Sequence, residues 1–342
     1  MLKFRKILID NKIEWQEIIS KSYNYDFYHT SLYNELEHIG TPFLLVAYLD
    51  KDFIALPLVE RTIDGTDYND CTSVYGYPGP ISSVSIDDLQ GSLVDFFQEN
   101  IKSYFQENNI VSVFSRLHPI TNNYKFFQGI GEIVDLNKTI AINLTLTLQE
   151  QRRQYRKSNK YEINKLKKEG FIVHEAETQK EIDEFIGIYY ETMRKVNADD
   201  YYFFSREYFY KFLKGQCFQA KLLLAKKNEI ITSGAIFTIT NKIMQYHLAG
   251  TRQEYSKNTP MKLILDEARL LGNKLEIEYL HLGGGVGGSD EDPLFRFKSG
   301  FTKETFQYRI WKYIVDPKKY DGLVRKKGIK QNSSFFPLYR LK

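Results

Sequence analysis

The sequence is poor in the residues that would announce a reaction. It holds two cysteines, Cys71 and Cys217, far apart in the chain. That excludes a disulfide framework and a cysteine-rich zinc site, and makes a reducing cytoplasm the simplest home. The histidines are few and scattered: His29, His38, His118, His174, His247 and His281. No HExxH and no metal-spaced His or Asp cluster occurs, so no metal is expected. No GxSxG elbow and no GxxxxGK[ST] loop occurs, which removes serine hydrolases of that type and P-loop nucleotidases. No apolar run approaches the roughly 20 residues that cross a bilayer, and the start, MLKFRKILID, lacks the apolar core of a secretory signal. Basic and acidic residues nearly balance, 47 against 43. The net value of +4 is mild, so any polyanion site must be local.

The aromatic content is high, with 25 Tyr and 24 Phe. Tyrosine combines a large apolar face with a polar tip and suits clefts for sugars or bases; coding bias in an AT-rich lineage gives the same composition. A chain of 342 residues accommodates two domains. No low-complexity linker separates them, but the order of elements repeats. In the first half, a helix near 32–39 precedes the hairpin FLLVAYLDKDFIALPLVE, a strand over 72–77, a helix over about 86–106 and a strand over 111–115. In the second half, helices over 181–195 and 206–213 precede the hairpin AKLLLAKKNEIITSGAIFTIT. A strand over 243–249, a helix over 261–271 and a strand over 277–282 follow. Helix pair, hairpin, strand, helix, strand is an α/β unit occurring twice. The pattern predicts domains over 1–145 and 146–342.

Two stretches carry chemistry. Residues 149–169 read as one helix ended by Gly170, with Arg152, Arg153, Arg156, Lys157, Lys160, Lys165, Lys167 and Lys168 set against Glu162 alone between Glu150 and Glu169. Arg152, Arg156 and Lys160 at i, i+4 and i+8 would share a face, and such a helix repels itself unless an anion is near. The second stretch is a strand that runs into Gly283, Gly284, Gly285, Gly287 and Gly288. A short helix follows, with Asp292 as N-cap, Pro293 at its first position and Gly300 as its stop. That helix carries Arg296 and Lys298 among Leu294, Phe295 and Phe297. Glycines let a backbone approach closely, and two cations beside an apolar anchor suit an anion or a developing oxyanion. The C-terminal tail is also basic, from Lys318 and Lys319 to Lys330, Arg340 and Lys342.

These residues resemble the Fem-type (FemA/FemB/FemX-like) tandem GNAT-fold acyltransferases. The basic block before Gly170-Phe171-Ile172-Val173 is similar to their "RxxIRKAxKxGV" block. Tyr190-Glu191-Thr192-Met193-Arg194 followed by Tyr201-Tyr202-Phe203 is similar to "FxxxYxxTxxR…YY". Gly283–Phe301 is similar to their glycine strand-end and "LYxFKxGF" helix. The first-half run Ser73–Pro80 resembles relatives encoded with surface-polysaccharide enzymes. The resemblance implies an α/β fold of two tandem GNAT-like domains, in which an amine attacks an activated acyl carbon. It makes Lys298 the catalytic candidate, stabilising the oxyanion. Arg194 and Tyr246 become acceptor contacts, with Arg152, Arg156, Arg296, Gly284 and Gly285 completing the substrate-binding set. The chain lacks the inserted coiled-coil arm of some relatives. At the first-half helix it has Tyr33 and Leu36 where several relatives show Trp then Lys. Residues 250–258 lack the glycine pair of ordinary CoA-dependent enzymes.

The expectation is an N-acyltransferase of cell-envelope glycan assembly, acting on an amine of a nucleotide- or lipid-linked sugar or muropeptide. No cofactor would be tightly bound; acyl-CoA or aminoacyl-tRNA would be the co-substrate. The expected partners are a nucleotide-sugar or lipid-linked glycan, tRNA for the aminoacyl donor, the inner face of a membrane, and no DNA. The rival reading is a non-catalytic binding module for anionic glycolipid or RNA.

Overall fold

The computed structural model describes residues 1–286, 291–328, 333 and 335–341. Gly287, Gly288, Asp290, Lys330 and Lys342 therefore lie outside the described residues. In chain order the elements begin with β1 (Leu2–Leu8), α1 (Lys12–Ser20), α2 (Ser31–Leu36), β2 (Thr41–Leu49), β3 (Asp52–Thr62), β4 (Asn69–Thr72) and β5 (Ile81–Ser82). Next come α3 (Gly91–Glu107), β6 (Ile110–Leu117), β7 (Glu132–Asn143), α4 (Leu148–Gln154), α5 (Lys157–Lys168) and β8 (Ile172–Glu175). Then follow α6 (Gln179–Lys195), α7 (Arg206–Lys214), β9 (Gln219–Lys227), β10 (Ile230–Thr240), β11 (Ile243–Thr251) and α8 (Met261–Lys274). The chain closes with β12 (Tyr279–Gly283), α9 (Pro293–Lys298), β13 (Thr305–Ile314) and α10 (Pro317–Lys327).

Two compact units result: Met1–Leu136 with Gln307–Lys342, and Asn137–Phe306. The first pairs its strands in the order β1, β2, β3, β4, β6, β13, with only the β4–β6 pair parallel. The second pairs β8, β9, β10, β11, β12, β7, with only the β11–β12 pair parallel. The succession of pairings is the same in both. The helix between the two parallel strands is α3 in one unit and α8 in the other, as a parallel crossover requires. The hairpins expected at 43–60 and 221–240 are equivalent, β2–β3 and β9–β10. The second turns through Asn228 and Glu229, both at positive φ, the geometry of the tight hairpin turn.

The sequence places a boundary at 145/146 and keeps the tail in the second domain. By packing, the chain leaves the first unit at Leu136 and returns at Gln307. The cause is the sixth strand of each sheet. Trp311 of β13 is fully buried in the first unit, stacked on Phe127 at 3.8 Å and donating from Nε1 to the Ile130 carbonyl at 2.7 Å. Ile140 and Ile142 of β7 are buried in the core of the second unit with Leu263, Ile264 and Leu280. The tail is anchored as well. Tyr320, Val324 and Tyr339 bury against Ile63 and Val111, and Arg340 bonds the buried Asp70 at 2.6 Å. Burying that much apolar surface fixes the segment in place, whatever its charge. The strand expected at 72–77 lies earlier, as β4 over Asn69–Thr72, and shares only Thr72 with the expectation.

Candidate functional site

Every candidate residue lies in the second unit, and the site begins at a fault in its sheet. Strand β11 carries a bulge: Ile236 faces Leu248 while Phe237 faces Tyr246, so His247 is the extra residue. On its other side β11 pairs with β12 only from Ile243–Gln245 to Tyr279–His281. Beyond Gln245 the two parallel strands part company, and Tyr246 is the first residue past the last rung. The Gln245 and His281 side chains close that rung at 2.6 Å. His247 is half-buried, its ring stacked on Phe212 at 4.8 Å, which is a packing role.

Helix α9 brings Lys298 to this opening. Asp292 caps the helix by accepting from the Phe295 amide at 2.9 Å, and Pro293 occupies the first turn. Phe295 and Lys298, three residues apart, turn inward; Arg296 turns outward and stays exposed. Lys298 is only 7% exposed. Its Nζ donates to the Gly284 carbonyl at 2.7 Å and lies 5.8 Å from the centre of the Tyr246 ring. No ion pair to Lys298 exists among the described residues. Burial lowers the ammonium to about 7, opposed by the charge of Asp292. Burial also raises the Tyr246 hydroxyl above its ordinary value, so it remains a neutral donor.

Gly284 and Gly285, expected among the substrate contacts, both meet the helix that carries Lys298. A Cβ on Gly285 would come within 2.3 Å of the Asp292 carboxylate oxygen, so glycine is needed there to let the capped helix approach. Gly284 contributes its carbonyl. Gly284 and Gly285 thus seat α9 and its lysine.

The single basic helix expected over 149–169 is two. A Thr147–Glu150 capping box starts α4, and the chain leaves helical geometry at Tyr155, whose ψ is 139°. The break lets Tyr155 bury against Phe301 and reach Asp266 with its hydroxyl at 3.2 Å. Arg152 and Arg156 therefore do not share a helical face. Arg152 donates to Asp266 at 2.7 Å and to Asn164 at 3.2 Å. Arg156 binds the end of α9: its amide donates to the Gly300 carbonyl at 2.9 Å, Nη1 to the Arg296 carbonyl at 2.9 Å and Nη2 to Ser299 Oγ at 2.8 Å. Both arginines are engaged within the protein, and Arg156 holds the helix that carries Lys298. Sequence reasoning missed this clamp because no local pattern links residue 156 to residue 296.

Arg194 sits in the last turn of α6 and is exposed, with no side-chain partner among the described residues. The structure does not join it to Lys298 by any contact. Tyr189 and Tyr190 are structural in part, donating to the Tyr202 and Phe204 carbonyls at 2.8 and 2.5 Å.

No protein-family model and no curated protein matches the sequence. Solved structures do match. A structure of FemX is 13% identical, with a TM-score of 0.72 over 93% of this chain and 99% of that one. The L-PGS structure from Bacillus licheniformis is 12% identical, with a TM-score of 0.59 over 89% and 91%. The C-terminal domain of a putative lysylphosphatidylglycerol synthetase from Agrobacterium fabrum is 11% identical, with a TM-score of 0.58 over 88% and 91%. At these identities the likeness is one of fold. The chain has the mixed α/β, tandem GNAT-like architecture of the FemX structure along nearly its whole length.

Proposed function

We propose that this chain is an N-acyltransferase that moves an acyl or aminoacyl group onto the amine of a nucleotide- or lipid-linked sugar or muropeptide in cell-envelope assembly. The observation that carries the reading is a buried ammonium, Lys298, at the place where β11 and β12 separate. A parted strand pair offers unpaired backbone groups to an extended acyl donor. One Lys298 hydrogen is bonded to Gly284, which fixes the head and leaves two for a substrate oxygen. Attack of the amine nitrogen on the acyl carbon forms the C–N bond and places negative charge on the carbonyl oxygen. The ammonium stabilises that charge in a site of low water content. Collapse breaks the bond to a thiolate or to a ribose oxygen, and the amine proton leaves with the leaving group or to water.

The donor is acyl-CoA or aminoacyl-tRNA, carried as a co-substrate. Arg194, exposed and unengaged, is assigned to the acceptor's diphosphate, and Arg296 to the outer rim. The reaction belongs on the cytoplasmic side, at the membrane face where the acceptor is lipid-linked; no helix among the described residues is long and apolar enough to cross a membrane. A salt titration of tRNA binding run beside a CoA-thioester consumption assay separates the two donors. Consumption of neither, together with intact binding of glycolipid or RNA, would defeat the enzymatic reading in favour of a binding module.

A further inference from the structure

A groove of about 550 Å³ lies in the second unit among α4, α5 and α8, and it shares no lining residue with the surroundings of Lys298. Its size falls within the range of small-ligand pockets. Arg152, Arg153, Lys160, Lys167 and Arg269 line it, and Asp266 is its one carboxylate. Asp266 is 2% exposed and already saturated: Arg152 lies at 2.7 Å, Arg269 at 3.2 Å and Lys167 at 3.8 Å. Lys167 turns partly to Glu267 at 2.8 Å. Arg153 and Lys160 form no ion pair among the described residues; Lys160 donates only to the Arg153 carbonyl, at 3.3 Å. Arg269, 4% exposed, has an Nε–H with no acceptor among the described residues. Cations crowded around one carboxylate repel one another until an anion enters.

We propose that this groove is a phosphate-binding site, taking the phosphate or diphosphate of a small soluble ligand such as a nucleotide. Asp266 fixes Arg152 and Arg269, Arg269 keeps its unpaired Nε–H, and Arg153 and Lys160, in no ion pair among the described residues, add positive charge at the lining. Guanidinium forks match phosphate oxygens in shape as well as charge. The lining cations gather around the single carboxylate Asp266 on α4, α5 and α8, a cluster that matches one phosphate or diphosphate rather than the length of a running polyanion. The site stands independently of Lys298, whatever the acyl donor.

The test is calorimetric titration of the full chain with pyrophosphate, ADP and inorganic phosphate at constant ionic strength, with melting temperature as a second readout. Arg153→Gln with Lys160→Gln should weaken pyrophosphate and ADP binding by about tenfold or more. Lys157→Gln with Lys168→Gln removes the same charge from exposed positions outside the lining and should leave binding within about twofold. Equal binding of pyrophosphate and ADP identifies the phosphate as the group read; tighter binding of ADP adds the nucleoside. Absence of binding, equal losses in the two double variants, or binding of short RNA or anionic vesicles without pyrophosphate would overturn the proposal.

Discussion

Lys298→Met provides a test of the buried ammonium that needs no substrate. Burial lowers the group from 10.5 to about 7 in the folded chain, and the unfolded chain restores the ordinary value. Below about pH 7 both states hold the proton, and the folded state bears the whole cost of enclosing the charge. Between about 7 and 10.5 the unfolded state binds more protons, so stability rises with pH, by up to about 1.4 kcal/mol per unit. Integrated over that window, the cost is about 4 kcal/mol at pH 7 and about 2 kcal/mol at pH 9. Methionine retains most of the packing and does not titrate. It leaves the Gly284 carbonyl without its donor, a loss on the order of 1 kcal/mol that does not vary with pH. Denaturant unfolding of both proteins at pH 7 and pH 9 should therefore move their difference by about 2 kcal/mol in favour of the wild type. A difference that does not change with pH would refute the argument. A change of opposite sign would mean that the lysine is held charged by a carboxylate.

In turnover, Lys298→Met should lower kcat by on the order of 100-fold while KM for the acceptor stays within a few fold, and the wild-type rate should fall above about pH 7 as the ammonium is lost; a rate that rises through pH 7 would make Lys298 a base instead. Arg156→Ala removes the bonds to the end of α9 and should reduce kcat more than KM, with partial rescue by Lys; unchanged kcat would sink the clamp. Gly285→Ala forces a Cβ onto Asp292 and should cost about 1–2 kcal/mol in unfolding, close to the cost of Asp292→Ala; an unaffected variant would show that the helix can shift freely. Arg194→Lys should raise KM for the acceptor by a few fold, since a diphosphate prefers a planar fork; an unchanged KM would remove Arg194 from the acceptor site.

The repeated unit was legible because each half writes the same periodicities in the same order, and periodicity is local. The equivalence of the β2–β3 and β9–β10 hairpins follows from alternation around short polar turns. The cap of α9 was legible for the same reason: Asp292, Pro293 and Gly300 act within a few residues of where they stand. That of two cations on one short helix only Lys298 would turn inward depended on packing against Tyr246 and Gly284, which are remote in sequence. The break at Tyr155 was hidden because residues 149–169 have helical composition throughout, and a buried tyrosine seeking Asp266 outweighs propensity. Charge alone did not show where Arg152 and the tail's Arg340 would lie, because the sequence does not tell which buried carboxylate, Asp266 or Asp70, each of them meets.

The exchange of sixth strands bears on synthesis. All six strands of the second sheet, β7 to β12, are complete once residue 283 has left the ribosome. The first sheet must wait for β13, whose Arg309 pairs with Leu117 across about 190 residues of chain, a separation that slows closure. Until then the edge of β6 is open, with its backbone donors and acceptors unmet, and open edges invite wrong partners. The half that is made first is thus the half that is finished last.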